Sequence, residues 1–268
     1  MIESKESDYK TMMLFFIVSI VIVFLYLGIY LLGLIESIEE VTLGLVHRTL
    51  ILNVLLLLCA SFGILIIYGK LEGRDIGLEK RKLPIAVVVG VLTWILIQII
   101  NGVLSFGGTG SVNLNPQWNT ESLALIGLLI GMLFGTALYE EVGYRGFLLV
   151  QFRIKMKELV ENKYLQVIIA LLISQTLFTL LHIPWMVLQL GWTIAMLLEL
   201  VFSVFMNGII YGLLYLRTEN LFFVMIVHAL GNAPTSLFSP IVEPSNLLLL
   251  IAIIWAFIWP RLLNRKME

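Results

Sequence analysis

Eight apolar runs dominate this chain, near residues 11–35, 49–69, 85–104, 122–152, 164–182, 188–216, 220–238 and 246–262. A run of about 20 apolar residues is long enough to cross a bilayer as a helix. In hydrocarbon the backbone must close its hydrogen bonds within the segment, and a helix does so. The expected fold class is therefore all-α, a polytopic membrane protein with about eight transmembrane helices. Composition agrees: of 268 residues 60% are hydrophobic and only 13% charged, with a mean hydropathy of +1.00. A soluble domain carries about 25% charged residues.

Loop charges set the expected orientation. Lys5 and Lys10 precede the first run, and Lys70, Arg74, Lys80, Arg81 and Lys82 lie between the second and third. Arg153, Lys155, Lys157 and Lys163 lie between the fourth and fifth, Arg217 follows the sixth, and Arg261, Arg265 and Lys266 close the chain. The intervening loops hold only Arg48. Positive charge that alternates with loop number predicts eight spans with both termini cytoplasmic. The polar first ten residues and the long run behind them predict no cleaved leader. A net charge of −1, with no basic tract, excludes nucleic acid as a partner. The single cysteine, Cys59, sits in an apolar run. It reads as a buried small hydrophobe, with no disulfide framework or thiolate site.

Smaller features read as packing or surface. Gly127, Gly131 and Gly135 form one small-residue ridge, and Gly208 with Gly212 another, where helices can approach closely. Ser105 to Glu121 reads as an ordinary external loop, and Glu36, Glu39 and Glu40 as a solvated acidic face. No internal repeat suggests an inverted-repeat transporter.

The chemistry concentrates at Tyr139-Glu140-Glu141-Val142-Gly143-Tyr144-Arg145. Charge within hydrocarbon costs several kcal/mol on most scales and is seldom kept without a use. Two adjacent carboxylates repel, an arrangement that turns one of them into a base near neutral pH. Glu141 and Arg145, four apart, share a helical face and can pair. Glu140 lies about 100° round the helix and is left as the candidate base. A single helix end at the membrane surface would carry all three charges in water, so this stretch alone leaves both readings open. Two of the three histidines, His182 and His228, close apolar runs, and His47 reads as a solvated loop residue. Phe178 precedes His182 by four residues, and Asn232 follows His228 by four, so each pair shares a helical face. Carboxylate, imidazole and amide are the parts needed to activate water and hold an oxyanion. Counted from Lys155, Lys163 and Asn220, Glu140, His182 and His228 lie about 22, 28 and 12 Å along their helices, so their convergence requires an offset between helices.

Glu140-Glu141-x-x-x-Arg145, Phe178-x-x-x-His182 and His228-x-x-x-Asn232, in that order on separate runs, resemble the CAAX protease and bacteriocin-processing family of intramembrane endopeptidases. Arg74-Asp75-Ile76-Gly77-Leu78 looks like that family's pre-core segment, so the resemblance covers roughly residues 74–235. It implies a two-helix extension at 1–73, a protease core at 74–240 and a last transmembrane helix at 241–268. It also implies hydrolysis of a peptide bond in a membrane-associated or lipid-modified protein or peptide. Glu140, Glu141, His182, His228 and Asn232 would be catalytic, with Arg145 and Phe178 in support. Glu140 and His182 would activate a water, and His228 and Asn232 would stabilise the oxyanion. No cofactor is expected. If zinc were used, Glu140, His182 and His228 would be its ligands, with one position open. Glu199, midway along the sixth run, belongs to none of these motifs. Two other readings stay open: a proton-coupled transporter, and a non-catalytic immunity or interaction protein of the same fold.

Overall fold

The computed structural model describes residues 4–233, 235–239 and 242–264. Arg265 and Lys266, which entered the sequence reading, lie outside them. Among the described residues the chain is helical, with no strand beyond one isolated bridge, and six helices are long and apolar enough to cross a membrane. They are α1 (Tyr9–Leu31), α3 (Arg48–Tyr68), α4 (Leu83–Thr109), α5 (Ser122–Leu159), α6 (Lys163–Leu190) and α7 (Ile194–Thr218). The protein is a multi-pass membrane protein. A short helix, α2 (Leu34–Val41), follows α1, and two shorter apolar helices, α8 (Leu221–Asn232) and α9 (Pro244–Asn264), end the chain.

Local chemistry explains where the helices begin. Asp8 accepts from the Thr11 N–H at 2.7 Å to cap α1, and Asn162 accepts from Tyr164 and Leu165 to cap α6. Such caps satisfy amides that a helix start leaves without intrahelical partners. Two ends run past the sequence expectation. α5 continues through Arg153, Lys155 and Lys157 to Leu159, because Lys and Arg are good helix formers once the helix leaves hydrocarbon. α6 continues past His182 and through Pro184 to Leu190. Four stretches are π-helical: Leu57–Tyr68, Met132–Thr136, Glu141–Leu149 and Leu200–Met206.

The chain divides into two compact units. The first comprises residues 1–35, 52–79 and 139–221. Phe15 of α1 packs edge-on against Tyr144 and Phe147 of α5, and a Cβ on Gly143 would lie 2.5 Å from the Phe15 ring. α5 and α6 form an antiparallel hairpin. Gly208 and Gly212 bring α7 against α6, where Cβ atoms would meet Gln175 at 2.1 Å and Leu171 at 2.4 Å. The packing role expected of this ridge is what the structure shows. The turn Gly73–Ile76 closes under Asp75, whose carboxylate accepts from Glu72 N and Lys5 N. Gly77 follows at φ +85, and the Ile76 carbonyl lies 2.1 Å from where a Gly146 Cβ would stand. Cys59, in the π-helical stretch of α3, is exposed, contrary to expectation, because it lies on a face of that helix that no other part of the protein covers.

The second unit comprises residues 36–51, 80–138 and 222–268. Gly127 and Gly131 of α5 receive the 44–50 segment: their Cβ atoms would lie 2.0 Å from the Gly44 carbonyl and 2.8 Å from Thr49 Oγ1. Glu39 is not simply solvated, since it pairs with Arg48 at 2.8 Å and lies 3.5 Å from His47 Nε2. Burial holds the half-buried His47 imidazole below its usual range, with Glu39 acting against it. The 105–121 stretch is also more than an ordinary loop. α4 extends into it, and its remainder is tied to residues 235–239 by the Leu114–Phe238 bridge and by Trp118 Nε1 donating to the Ser236 carbonyl at 2.9 Å. Gln98 Oε1 accepts from Leu237 N at 2.8 Å, and Trp94 Nε1 donates to Thr235 Oγ1 at 2.9 Å. These bonds secure the chain just beyond α8.

Candidate active site

The first unit gathers five of the seven residues singled out from the sequence. Glu140 stands at the junction where α5 passes from α- to π-helical form, with Glu141 opening the π-helical stretch. Such π-helical turns within α-helices are frequent at functional sites. Glu141 is fully buried and Arg145 nearly so, and their ion pair spans 3.4 Å, as their spacing predicted. Further hydrogen bonds to an ion pair taken from water help to offset its desolvation. Arg145 Nη2 donates to Gln175 Oε1 and to the Gly208 carbonyl, each at 3.1 Å, and the guanidinium lies 4.5 Å above the Phe178 ring.

Phe178 also touches the histidine. The Phe178 ring and the His182 imidazole have centroids 4.5 Å apart, and His182 Nδ1 donates to the Phe178 carbonyl at 3.0 Å. A carbonyl can only accept, so Nδ1 carries the proton and neutral His182 presents the Nε2 lone pair. Nε2 lies 3.6 Å from Glu140 Oε1. That is too long for a direct hydrogen bond and short enough for both atoms to reach one small polar group between them. Aromatic side chains surround the pair: Tyr144 packs edge-on to Phe178 at 5.0 Å, and Tyr139 donates to Ser19 Oγ at 2.7 Å.

The depth mismatch expected between Glu140 and His182 is removed by the length of α5. Glu140 is 19 residues before Leu159, where α5 ends, and His182 is 19 residues after Lys163, where α6 begins. An antiparallel hairpin with a three-residue turn therefore brings them level. The expectation counted Glu140 only from Lys155, whereas the helix runs on to Leu159, and the four residues between account for the offset.

His228 and Asn232 lie in the second unit, four residues apart on α8. His228 is buried and Asn232 exposed. Glu199, at the end of the first α-helical turns of α7, is also exposed. Glu140 and His182 provide two donors of the kind a metal takes. Among the described residues no group of three or more His, Cys, Asp or Glu side chains is gathered as a metal site requires.

Two participants were missed by the sequence reading. Gln175 receives Arg145, and Ser174 Oγ donates to the Tyr144 carbonyl at 2.7 Å. The signal was available: Gln175 lies three residues before Phe178 and seven before His182, on the same helical face.

Residues 121–234 match the family model described as type II CAAX prenyl endopeptidase Rce1-like. No curated protein and no solved structure matches the chain. The matched stretch contains Glu140, Glu141, Arg145, Phe178, His182, His228 and Asn232, the residues by which the chain is similar to the CAAX protease and bacteriocin-processing family.

Proposed function

We propose that this protein is an intramembrane endopeptidase that hydrolyses a peptide bond in a membrane-associated or lipid-modified protein or peptide. The observation that carries the reading is the 3.6 Å approach of Glu140 Oε1 to His182 Nε2, with Nδ1 already committed to the Phe178 carbonyl. Both facing atoms can accept a proton, as the activation of a water requires. In the proposed reaction a water between them gives a proton to Glu140 as its oxygen bonds to the scissile carbonyl carbon. His228 and Asn232 stabilise the oxyanion so formed. Collapse restores the carbonyl, breaks the C–N bond and passes the proton, through Glu140 and His182, to the leaving amine. No step uses a metal. The core is assigned to residues 74–240, with α8 and α9 as the seventh and eighth spans and both termini cytoplasmic.

The test is cleavage by purified protein in lipid nanodiscs. Two quenched fluorogenic peptides serve as probes, one ending in a farnesylated CAAX tetrapeptide and one an unmodified transmembrane segment. We expect at least one to be cut, and Glu140→Gln to reduce that rate by about 10²–10⁴-fold with its melting transition retained. Cleavage by Glu140→Gln at the rate of the parent protein would overturn the assignment. Failure of the parent to cut either probe would overturn the reading for these two substrate classes.

A further inference from the structure

Gln175 belongs to none of the three motifs, yet it ties Arg145 of the first motif to α7. It lies on α6, nearly fully buried, and its amide is used at both ends. Oε1 accepts from Arg145 Nη2 at 3.1 Å, and Nε2 donates to the Val204 carbonyl of α7 at 3.0 Å. Val204 lies in a π-helical stretch. A donor from a neighbouring helix can satisfy carbonyls that a π-helical stretch leaves poorly paired. Ser174 acts similarly on the other side, donating to Tyr144 O within the π-helical stretch of α5. Adjacent residues of α6 therefore hold irregular turns of two different helices.

The room for this side chain is made by Gly208, whose Cβ would stand 2.1 Å from Gln175 Nε2, and whose carbonyl accepts from the same Arg145 nitrogen at 3.1 Å. Arg145 is thus gripped by Glu141, Gln175 and Gly208, from three points on α5, α6 and α7. Glu141 is the immediate chain neighbour of Glu140, so any rotation of the Glu141–Arg145 pair turns Glu140 with it. We propose that Gln175 is a positioning residue: by fixing Arg145 it fixes Glu141 and the π-helical turn that presents Glu140 to His182. The proposal rests on the peptidase reading for its kinetic consequence, although the geometry it claims can be tested without it.

Gln175→Met keeps the volume and removes both hydrogen-bonding ends. With whichever fluorogenic peptide the parent protein cuts, turnover is expected to fall about 10–100-fold with KM unchanged, since a misplaced catalytic group lowers the rate without weakening substrate binding. Amide hydrogen exchange in nanodiscs gives a readout that needs no cleavage. Residues 141–149 should exchange faster in Gln175→Met, while α1 and α4 stay as in the parent. Gly208→Ala, on another helix, should reproduce both effects by displacing the Gln175 amide. If neither peptide is cut by the parent, the peptidase reading fails for these two substrate classes and exchange alone decides. Unchanged exchange at 141–149 in both variants, or a KM change with turnover intact, would overturn the proposal.

Discussion

Glu140 and His182 stand 3.6 Å apart on the two arms of a helix hairpin, each 19 residues from the end of its helix at the turn. The Phe178 carbonyl takes the Nδ1 proton of His182, so the nitrogen facing Glu140 is a lone pair when the ring is neutral. Two acceptors that face each other at this distance are suited to share a proton, or a water that supplies one. The carboxylate next in sequence has a different setting. Glu141 is turned to Arg145, and the pair is fully enclosed.

The enclosed pair separates the two glutamates in experiment. Glu141→Gln leaves the Arg145 charge buried without its counter-ion, at a cost of about 3 kcal/mol. A clear drop in the melting temperature in detergent is expected, with measurable cleavage remaining at lower temperature. Glu140→Gln should show the reverse, a protein that melts like the parent and does not cleave. A Glu141→Gln variant that is stable but inactive would reverse the assignment of the two residues.

Gly146 lies where the π-helical stretch of α5 meets the 73–76 turn. A Cβ there would stand 2.1 Å from the Ile76 carbonyl, a backbone atom that cannot rotate away. Gly146→Ala should therefore destabilise by about 1–3 kcal/mol, as overpacked sites that force backbone shifts do. Gly28→Ala, with nothing within 4 Å of the added atom, serves as its control. Fluorescence-detected size exclusion over a temperature series would compare them, and equal melting would show that the turn yields readily.

Chelation tests the expected independence from metal. Purified protein treated exhaustively with a chelator should keep its rate on the fluorogenic peptides and should contain no stoichiometric zinc. Loss of the rate, restored by zinc alone, would require a third ligand that joins Glu140 and His182 on metal binding.

Orientation can be read by labelling single cysteines after replacing Cys59. Lys80→Cys and Asn119→Cys are both at exposed positions. With both termini cytoplasmic, an impermeant maleimide applied to intact cells should reach position 119 and not position 80. Labelling of both from outside would contradict the eight-span orientation.

Periodicity and composition determined the helical membrane class, since a chain with apolar runs of this length can satisfy its backbone in lipid only as helices. The Glu141–Arg145 and Phe178–His182 pairings were also legible, because each spans four residues of one helix and local geometry decides such contacts. What the sequence could not show was where helices end and how they turn. Lys and Arg near the end of α5 suit loop and helix alike, so the true length of that arm, and hence the level of Glu140 with His182, depended on the hairpin it forms with α6. The π-helical form of residues 141–149 has no signature in the sequence, for it is held by Ser174 from another helix. Gln175 looked like an ordinary polar residue for the same reason. Its role depends on Arg145 and Gly208, 30 residues before it and 33 after, and only close packing of α5, α6 and α7 brings the three together.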